Sequence, residues 1–337
     1  MIKVGVIGYG YWGPNMVRNF AEAPGSQVGM VSDLRQDRLA MAKNRHPAVE
    51  TTTNAQDVLK DPSIDAVVIA TPVSSHFELA MGALKAGKHV LVEKPLTATV
   101  EQAKRLIDEA AVCQRVLMVD HTFTYTGAVR KMSEMVRSGE LGKLYYYDSV
   151  RVNLGLFQTD VSVLWDLAVH DLSIMDYLFP FQAKAVSATG ISHVNGKPED
   201  IAYLTLFYDN QFFAHVHVNW LAPVKVRRTL IGGDKKMIVY DDLEPSEKIK
   251  VYDKGITVND GVEGTYQVLV GYRTGDMWAP KVEGAEALRV EAVHFLHCIE
   301  QNETPQTDGH AGLRVVKILE AATKSMSHQG QCVELDN

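Results

Sequence analysis

The sequence has 337 residues, 46% of them hydrophobic, with 34 basic against 41 acidic side chains and a formal charge of -7. That length exceeds what one hydrophobic core usually serves, so two domains are expected. The acidic balance, without a long run of either sign, argues against a nucleic acid or an anionic membrane as partner, and no apolar run approaches the ~20 residues that cross a bilayer. A small molecule is the expected partner. A strand and a glycine-rich turn follow Met1 too closely to leave room for a secretory leader. Cys113, Cys298 and Cys332 make neither a disulfide framework nor a metal spacing. These features point to a cytoplasmic protein without a metal.

In chain order, the strand Val4 to Ile7 leads into a helix through Phe20, followed by the strand Gln27 to Ser32 and the helical Arg35 to Asn44. Ala66 to Ala70, Phe77 to Ala86, His89 to Val92, Thr99 to Ala111 and Val116 to Val119 continue the alternation of strand and helix. Near-continuous Val/Ile/Leu strands between helices predict a parallel sheet covered on both faces. The fold class expected is α/β: a Rossmann doubly wound domain over residues 1–121, then an α+β domain over 122–337.

The second domain opens with a helix from Ala128 to Ser138, a strand from Leu144 to Val152 and a helix from Leu164 to Leu178. Period-2 segments follow at Ala202 to Tyr208, Phe212 to Trp220, Arg227 to Ile231, Met237 to Tyr240 and Ile249 to Tyr252. They predict an open, largely antiparallel sheet, one face of which, carrying Phe207, Phe213 and Trp220, is expected to be covered in a homodimer or homotetramer. Helices at Ala285 to Glu300 and Gly309 to Ser327 finish the chain.

Gly8-Tyr9-Gly10-Tyr11-Trp12-Gly13 stands between the first strand and the first helix, where the GxGxxG pattern has a mechanism. Gly8 makes the tight turn, Gly10 lets backbone approach a pyrophosphate, and Gly13 permits close helix packing; Tyr11 and Trp12 complete the loop. Asp33 closes the second strand twenty residues beyond Gly13, the place of the carboxylate that binds a ribose 2′-hydroxyl. A carboxylate there repels a 2′-phosphate, so NAD is the expected cofactor, with Arg35 nearby leaving room for NADP.

Downstream stand Ala70-Thr71-Pro72-Val73-Ser74-Ser75-His76, the run from Gly87 to Glu93-Lys94-Pro95, and Asp166-Leu167-Ala168-Val169-His170. With the glycine loop, these resemble the glucose-fructose oxidoreductase / inositol dehydrogenase family, known as Gfo/Idh/MocA. The resemblance implies hydride transfer between the nicotinamide and a carbinol carbon of a sugar, nucleotide sugar or cyclitol. It implies Lys94 as a catalytic lysine before a cis proline, and Asp166 and His170 as the D-x-x-x-H motif. Thr71, Pro72 and His76 then flank the cofactor, and Glu93 lies near the nicotinamide ribose.

The physics agrees at several points. A proline after Lys94 biases the lysine to an extended conformation at a strand's carboxyl end, where open α/β sheets bind ligands. Asp166 and His170 share a helix face, so the carboxylate can orient the imidazole as acid/base. Two stretches depart from the family pattern: Asp120 to Tyr125 after the last Rossmann strand, and Asp160 to Trp165 before the D-x-x-x-H helix.

For the substrate, Arg151 and Asn153 share a strand face leading toward the catalytic helix, and Trp165 adjoins Asp166; all three are candidate contacts. Lys225, Arg227 and Arg228 could hold a nucleotide-sugar diphosphate, or be plain surface charge. His215, His217 and Asn219 lie on one strand face without the further ligands a metal needs. Three readings result: a sugar or nucleotide-sugar dehydrogenase, a cyclitol or diol dehydrogenase with the same residues, and a non-catalytic NAD-binding sensor.

Overall fold

In this computed structural model, residues 1–155, 161–194, 198–258 and 270–335 are described. By packing, the chain divides into one unit of Met1–Thr126 with Ala285–Glu320 and another of Gly127–Gly284 with Ala321–Asn337.

The first unit is built on six parallel strands: β1 (Ile2–Ile7), β2 (Ser26–Ser32), β3 (Glu50–Thr52), β4 (Ala66–Ile69), β5 (His89–Glu93) and β6 (Leu117–Asp120). Their spatial order is β3-β2-β1-β4-β5-β6. The order reverses between β1 and β4, the switch point at whose carboxyl ends ligands bind. Val4, Val6, Val31, Val67, Val68, Val90, Leu91 and Val92 have no accessible surface, as the apolar runs require of strands covered on both faces.

Helices α1 (Gly13–Glu22), α2 (Gln36–Arg45), α3 (Ala55–Lys60), α4 (His76–Lys85) and α5 (Val100–Cys113) connect these strands. Local chemistry sets their starts: Asn54 accepts the Gln56 amide ahead of α3, and Thr99 accepts the Gln102 amide ahead of α5. Helix α8 (Ala287–Gln301), returning from late in the chain, packs Leu288, Ala292, Phe295 and Leu296 into the same core as Met16, Val17 and Phe20 of α1. The expected boundary at residue 121 is a single cut; the observed first unit takes back 36 residues beyond it, Ala285–Glu320.

The second unit carries a nine-stranded mixed sheet. At its centre β7 (Leu144–Leu154) runs parallel to β10 (Phe213–Asn219) and antiparallel to β11 (Leu221–Gly233). All other pairings in this sheet are antiparallel, including β9 (Ile201–Phe207) with β10. Along β10, Ala214, Val216 and Val218 are fully buried while His215, His217 and Asn219 face the other way. Helix α7 (Val169–Leu178) packs on β7, and the π-turn at Leu164–Ala168 through which it is entered packs on β10. The open face holds Tyr203, Phe207 and Phe213, each more than two-fifths exposed. Trp220, expected with them, is 1% exposed and belongs to the interior.

Candidate active site

The glycine loop is shaped by close backbone approaches. Gly8 has φ +99, and a Cβ there would stand 2.4 Å from the Ala70 carbonyl oxygen; only glycine tolerates both conditions. At Gly13 a Cβ would meet the Gly8 carbonyl oxygen at 2.2 Å. By contrast, the Cβ position of Gly10 has nothing within 4 Å, the open side a pyrophosphate needs. Trp12 begins α1 without a side-chain cap, and Pro14 occupies the first turn, so no side chain caps the helix end that an anion would approach. Asp33 accepts the Tyr9 amide on Oδ2 at 2.6 Å and the Arg35 amide on Oδ1 at 2.9 Å. The carboxylate thus ties the loop to the end of β2. These features fit a dinucleotide.

At the carboxyl end of β4, Thr71 accepts a hydrogen bond from the Ser75 hydroxyl at 2.7 Å, and Pro72 is exposed. His76 is 1% exposed and its ring lies between two main-chain carbonyls, Thr71 at 2.8 Å from Nε2 and Pro95 at 2.9 Å from Nδ1, to one of which the neutral ring donates. Burial lowers its pKa, and the Lys94 ammonium adds to that effect. His76 therefore links the Thr71 turn to the segment after Lys94 and acts through the backbone. Lys94 precedes a cis proline at the end of β5, beside Glu93, and both residues are half-buried. Arg35 is exposed and pairs with Asp37 at 2.6 Å.

Within the second unit, Asp166 lies in the π-turn and His170 at the start of α7, both partly exposed. A π-turn is a frequent companion of functional sites because it re-aims side chains. Asp166 Oδ2 accepts the indole N–H of buried Trp220 at 3.1 Å. The next residue after His170, Asp171, is buried and bound to Arg151 at 2.7 Å and 3.2 Å and to the Ser149 hydroxyl at 2.6 Å. The helix bearing His170 is thereby anchored to β7.

Comparison with known proteins decides the family. Residues 2–121 match the model of the oxidoreductase family's NAD-binding Rossmann fold, and residues 133–335 match its C-terminal alpha/beta domain, both of Gfo/Idh/MocA type. The chain belongs to the Gfo/Idh/MocA oxidoreductase family. It is 27% identical over 323 residues to the UDP-N-acetylglucosamine 3-dehydrogenase of Acidithiobacillus ferrooxidans, covering 94% of each chain. A solved structure of that enzyme gives a TM-score of 0.78 over 97% of this chain and 96% of that one. It is 23% identical to the myo-inositol 2-dehydrogenase of Thermotoga maritima, covering 97% of each. A levoglucosan dehydrogenase in complex with NADH, 22% identical, shares the fold with a TM-score of 0.83 over 100% of this chain and 99% of that one.

As a Gfo/Idh/MocA oxidoreductase the chain binds a nicotinamide dinucleotide in its first unit, and the expected α/β class with a largely antiparallel second sheet is the one observed. Arg151 departs from expectation. Its side chain is 3% exposed, and its guanidinium is committed to Asp171, so it stabilises the helix carrying His170 rather than meeting substrate. Burial works against the Arg151 cation, but the adjoining Asp171 carboxylate wins and raises its pKa. Asn153 remains half-buried on the same strand, and the Trp165 indole donates to Thr323 at 2.9 Å.

The basic run splits across the two faces of β11. Arg227 pairs with Asp242 at 3.2 Å while Lys225 and Arg228 are exposed, so the three do not form one anion cluster. Tyr203 stacks on His217 with centroids 4.3 Å apart, the ordinary work of a polar strand face. Asp160 lies outside the described residues.

Proposed function

We propose that this oxidoreductase interconverts a secondary alcohol and a ketone on a sugar or nucleotide sugar, using NAD. The observation that carries the reading is Lys94, at the carboxyl end of β5, in a domain whose loop fits a dinucleotide. The likeness to a UDP-N-acetylglucosamine 3-dehydrogenase over 94% of the chain favours a sugar substrate. When bound, NAD supplies the acceptor or donor of hydride. His170 removes the hydroxyl proton as the carbon is oxidised and returns it in the reductive direction. Asp166 orients the imidazole, and Lys94 hydrogen-bonds the substrate oxygen as charge develops on it. Asp33 disfavours a 2′-phosphate, so NADH should bind more tightly than NADPH.

The finer assignments of cofactor contacts to Gly8, Gly10, Tyr11, Trp12, Gly13, Asp33, Thr71, Pro72 and Glu93, and of substrate contacts to Asn153 and Trp165, belong to the same proposal. So do a cytoplasmic location, supported by three free cysteines, and a homodimer or homotetramer, supported by the exposed aromatics of the open sheet face. A cyclitol substrate is the second reading, favoured by the likeness to a myo-inositol 2-dehydrogenase.

The test is NADH and NADPH titration, then a scan of UDP-sugars, aldoses and cyclitols at the nicotinamide absorbance. Turnover that Lys94→Ala and His170→Asn reduce by about 10²-fold or more, with NADH affinity retained, supports the roles given. NADH binding without turnover of any of these substrates would favour the sensor instead.

A further inference from the structure

Behind the dinucleotide loop, the first unit buries a group of acidic side chains that the hydride-transfer chemistry does not use. Glu291, on α8, has no accessible surface, and neither of its carboxyl oxygens has a hydrogen-bond partner. Asp120, at the carboxyl end of β6, is 1% exposed and accepts the Trp12 indole N–H on Oδ2 at 2.9 Å. Its other oxygen takes the Thr122 hydroxyl. Asp120 also stands directly opposite Glu93 in the β5–β6 register.

We propose that Glu291 and Asp120 form a hydrogen-bonded carboxyl–carboxylate pair that holds the Trp12 indole, and that both are positioning residues for the dinucleotide loop.

The groups facing Glu291 are Asp120 from β6, Glu93 from β5, and Thr122 and Tyr125 from the 3-10 turn after β6. Tyr125 is itself tied to Thr307 and lies at a tilt against the His294 ring of α8, with centroids 5.6 Å apart. Two of these groups are acids and none is a cation. A buried carboxylate in such company is unsatisfied and repelled; carrying a proton, it gains an O–H to donate, and Asp120 is the acceptor beside it. Burial raises the Glu291 pKa well above the carboxylate range, and the Asp120 charge raises it further. Asp120 then accepts from Glu291 as well as from the indole N–H. Trp12 matters because it begins α1 and lies between Gly10 and Gly13; its carbonyl accepts the Asn15 amide at 2.9 Å. Fixing its side chain fixes the backbone that approaches the pyrophosphate. The return helix α8 thus completes the cofactor domain chemically as well as by packing.

The test reads NADH affinity by nicotinamide fluorescence across about pH 6 to about pH 10, together with the infrared band of protonated carboxyl groups. In the wild-type protein, a fall in affinity toward the alkaline end reports loss of the Glu291 proton beside Asp120. Glu291→Gln keeps a donor, so it should bind NADH within about twofold of wild type at pH 7 and show a flat alkaline profile. Trp12→Phe should weaken NADH by roughly tenfold at pH 7 without a matching loss of melting temperature. Wild-type protein labelled with ¹³C-glutamate should show a protonated carboxyl band at pH 7, a measurement that needs no variant to fold. Absence of that band, an unchanged alkaline fall in Glu291→Gln, or wild-type affinity in Trp12→Phe would each overturn the proposal.

Discussion

Arg151 and Asp171 offer the sharpest separation between a structural and a substrate-binding role. Both side chains are at most 3% exposed and share two hydrogen bonds, 2.7 Å and 3.2 Å long. Removing one partner strands a charge in the interior, which costs about 3–5 kcal/mol. In a unit of this size each kcal/mol lowers the melting temperature by about 2–4 °C, so Arg151→Met and Asp171→Leu should each lose roughly 6–20 °C. The double variant removes both charges and leaves the Ser149 hydroxyl, now 2.6 Å from the accepting carboxylate, without that partner. It should therefore recover all but about 1–3 kcal/mol. Thermal unfolding of the four proteins, followed by far-ultraviolet circular dichroism, closes the cycle. A substrate contact predicts the reverse pattern, an unchanged melting temperature in Arg151→Met with a raised KM. A loss smaller than about 2 °C in that variant would refute the buried-pair argument.

Two further outcomes follow from the first unit. Gly13→Ala should abolish measurable NADH binding and lower stability by about 1–3 kcal/mol, read by fluorescence titration and melting, because the added methyl would meet the Gly8 carbonyl oxygen at 2.2 Å. His121 is fully buried and its pKa is lowered to about 3, first by burial and then by Lys94 and Arg314. It is neutral when folded, so below its ordinary value of 6.5 the unfolded chain binds the extra proton and stability falls as pH falls toward about 3. The stability difference between pH 7 and pH 5, from denaturant titrations, should be roughly 2 kcal/mol smaller in His121→Leu; equal differences would contradict this account.

What could be read from the sequence was whatever repeats a local rule. The apolar strands, the glycine loop and Asp33 each obey a short-range constraint, and the structure realises them with Gly8 at positive φ and Asp33 tying β2 to the loop. Period-2 alternation likewise placed His215, His217 and Asn219 on one face of β10. What escaped depends on residues far apart in the chain. Arg151 looked like a polar contact on an accessible strand, because nothing near it in sequence announces that Asp171, twenty positions on, is turned to meet it in the interior. Trp220 read as a sheet aromatic, yet it is the buried donor that holds Asp166, 54 residues earlier. Glu291 was the least visible. It is one acid on an amphipathic helix, and only the return of Ala285–Glu320 to the first unit sets it behind Asp120. Each miss concerns a polar or charged group taken out of water. Burial of such a group makes sense only with its partner in view, and the partner is fixed by topology rather than by periodicity. In this chain the residues proposed for hydride transfer are announced by motif, whereas those that would hold them in place are announced by their burial.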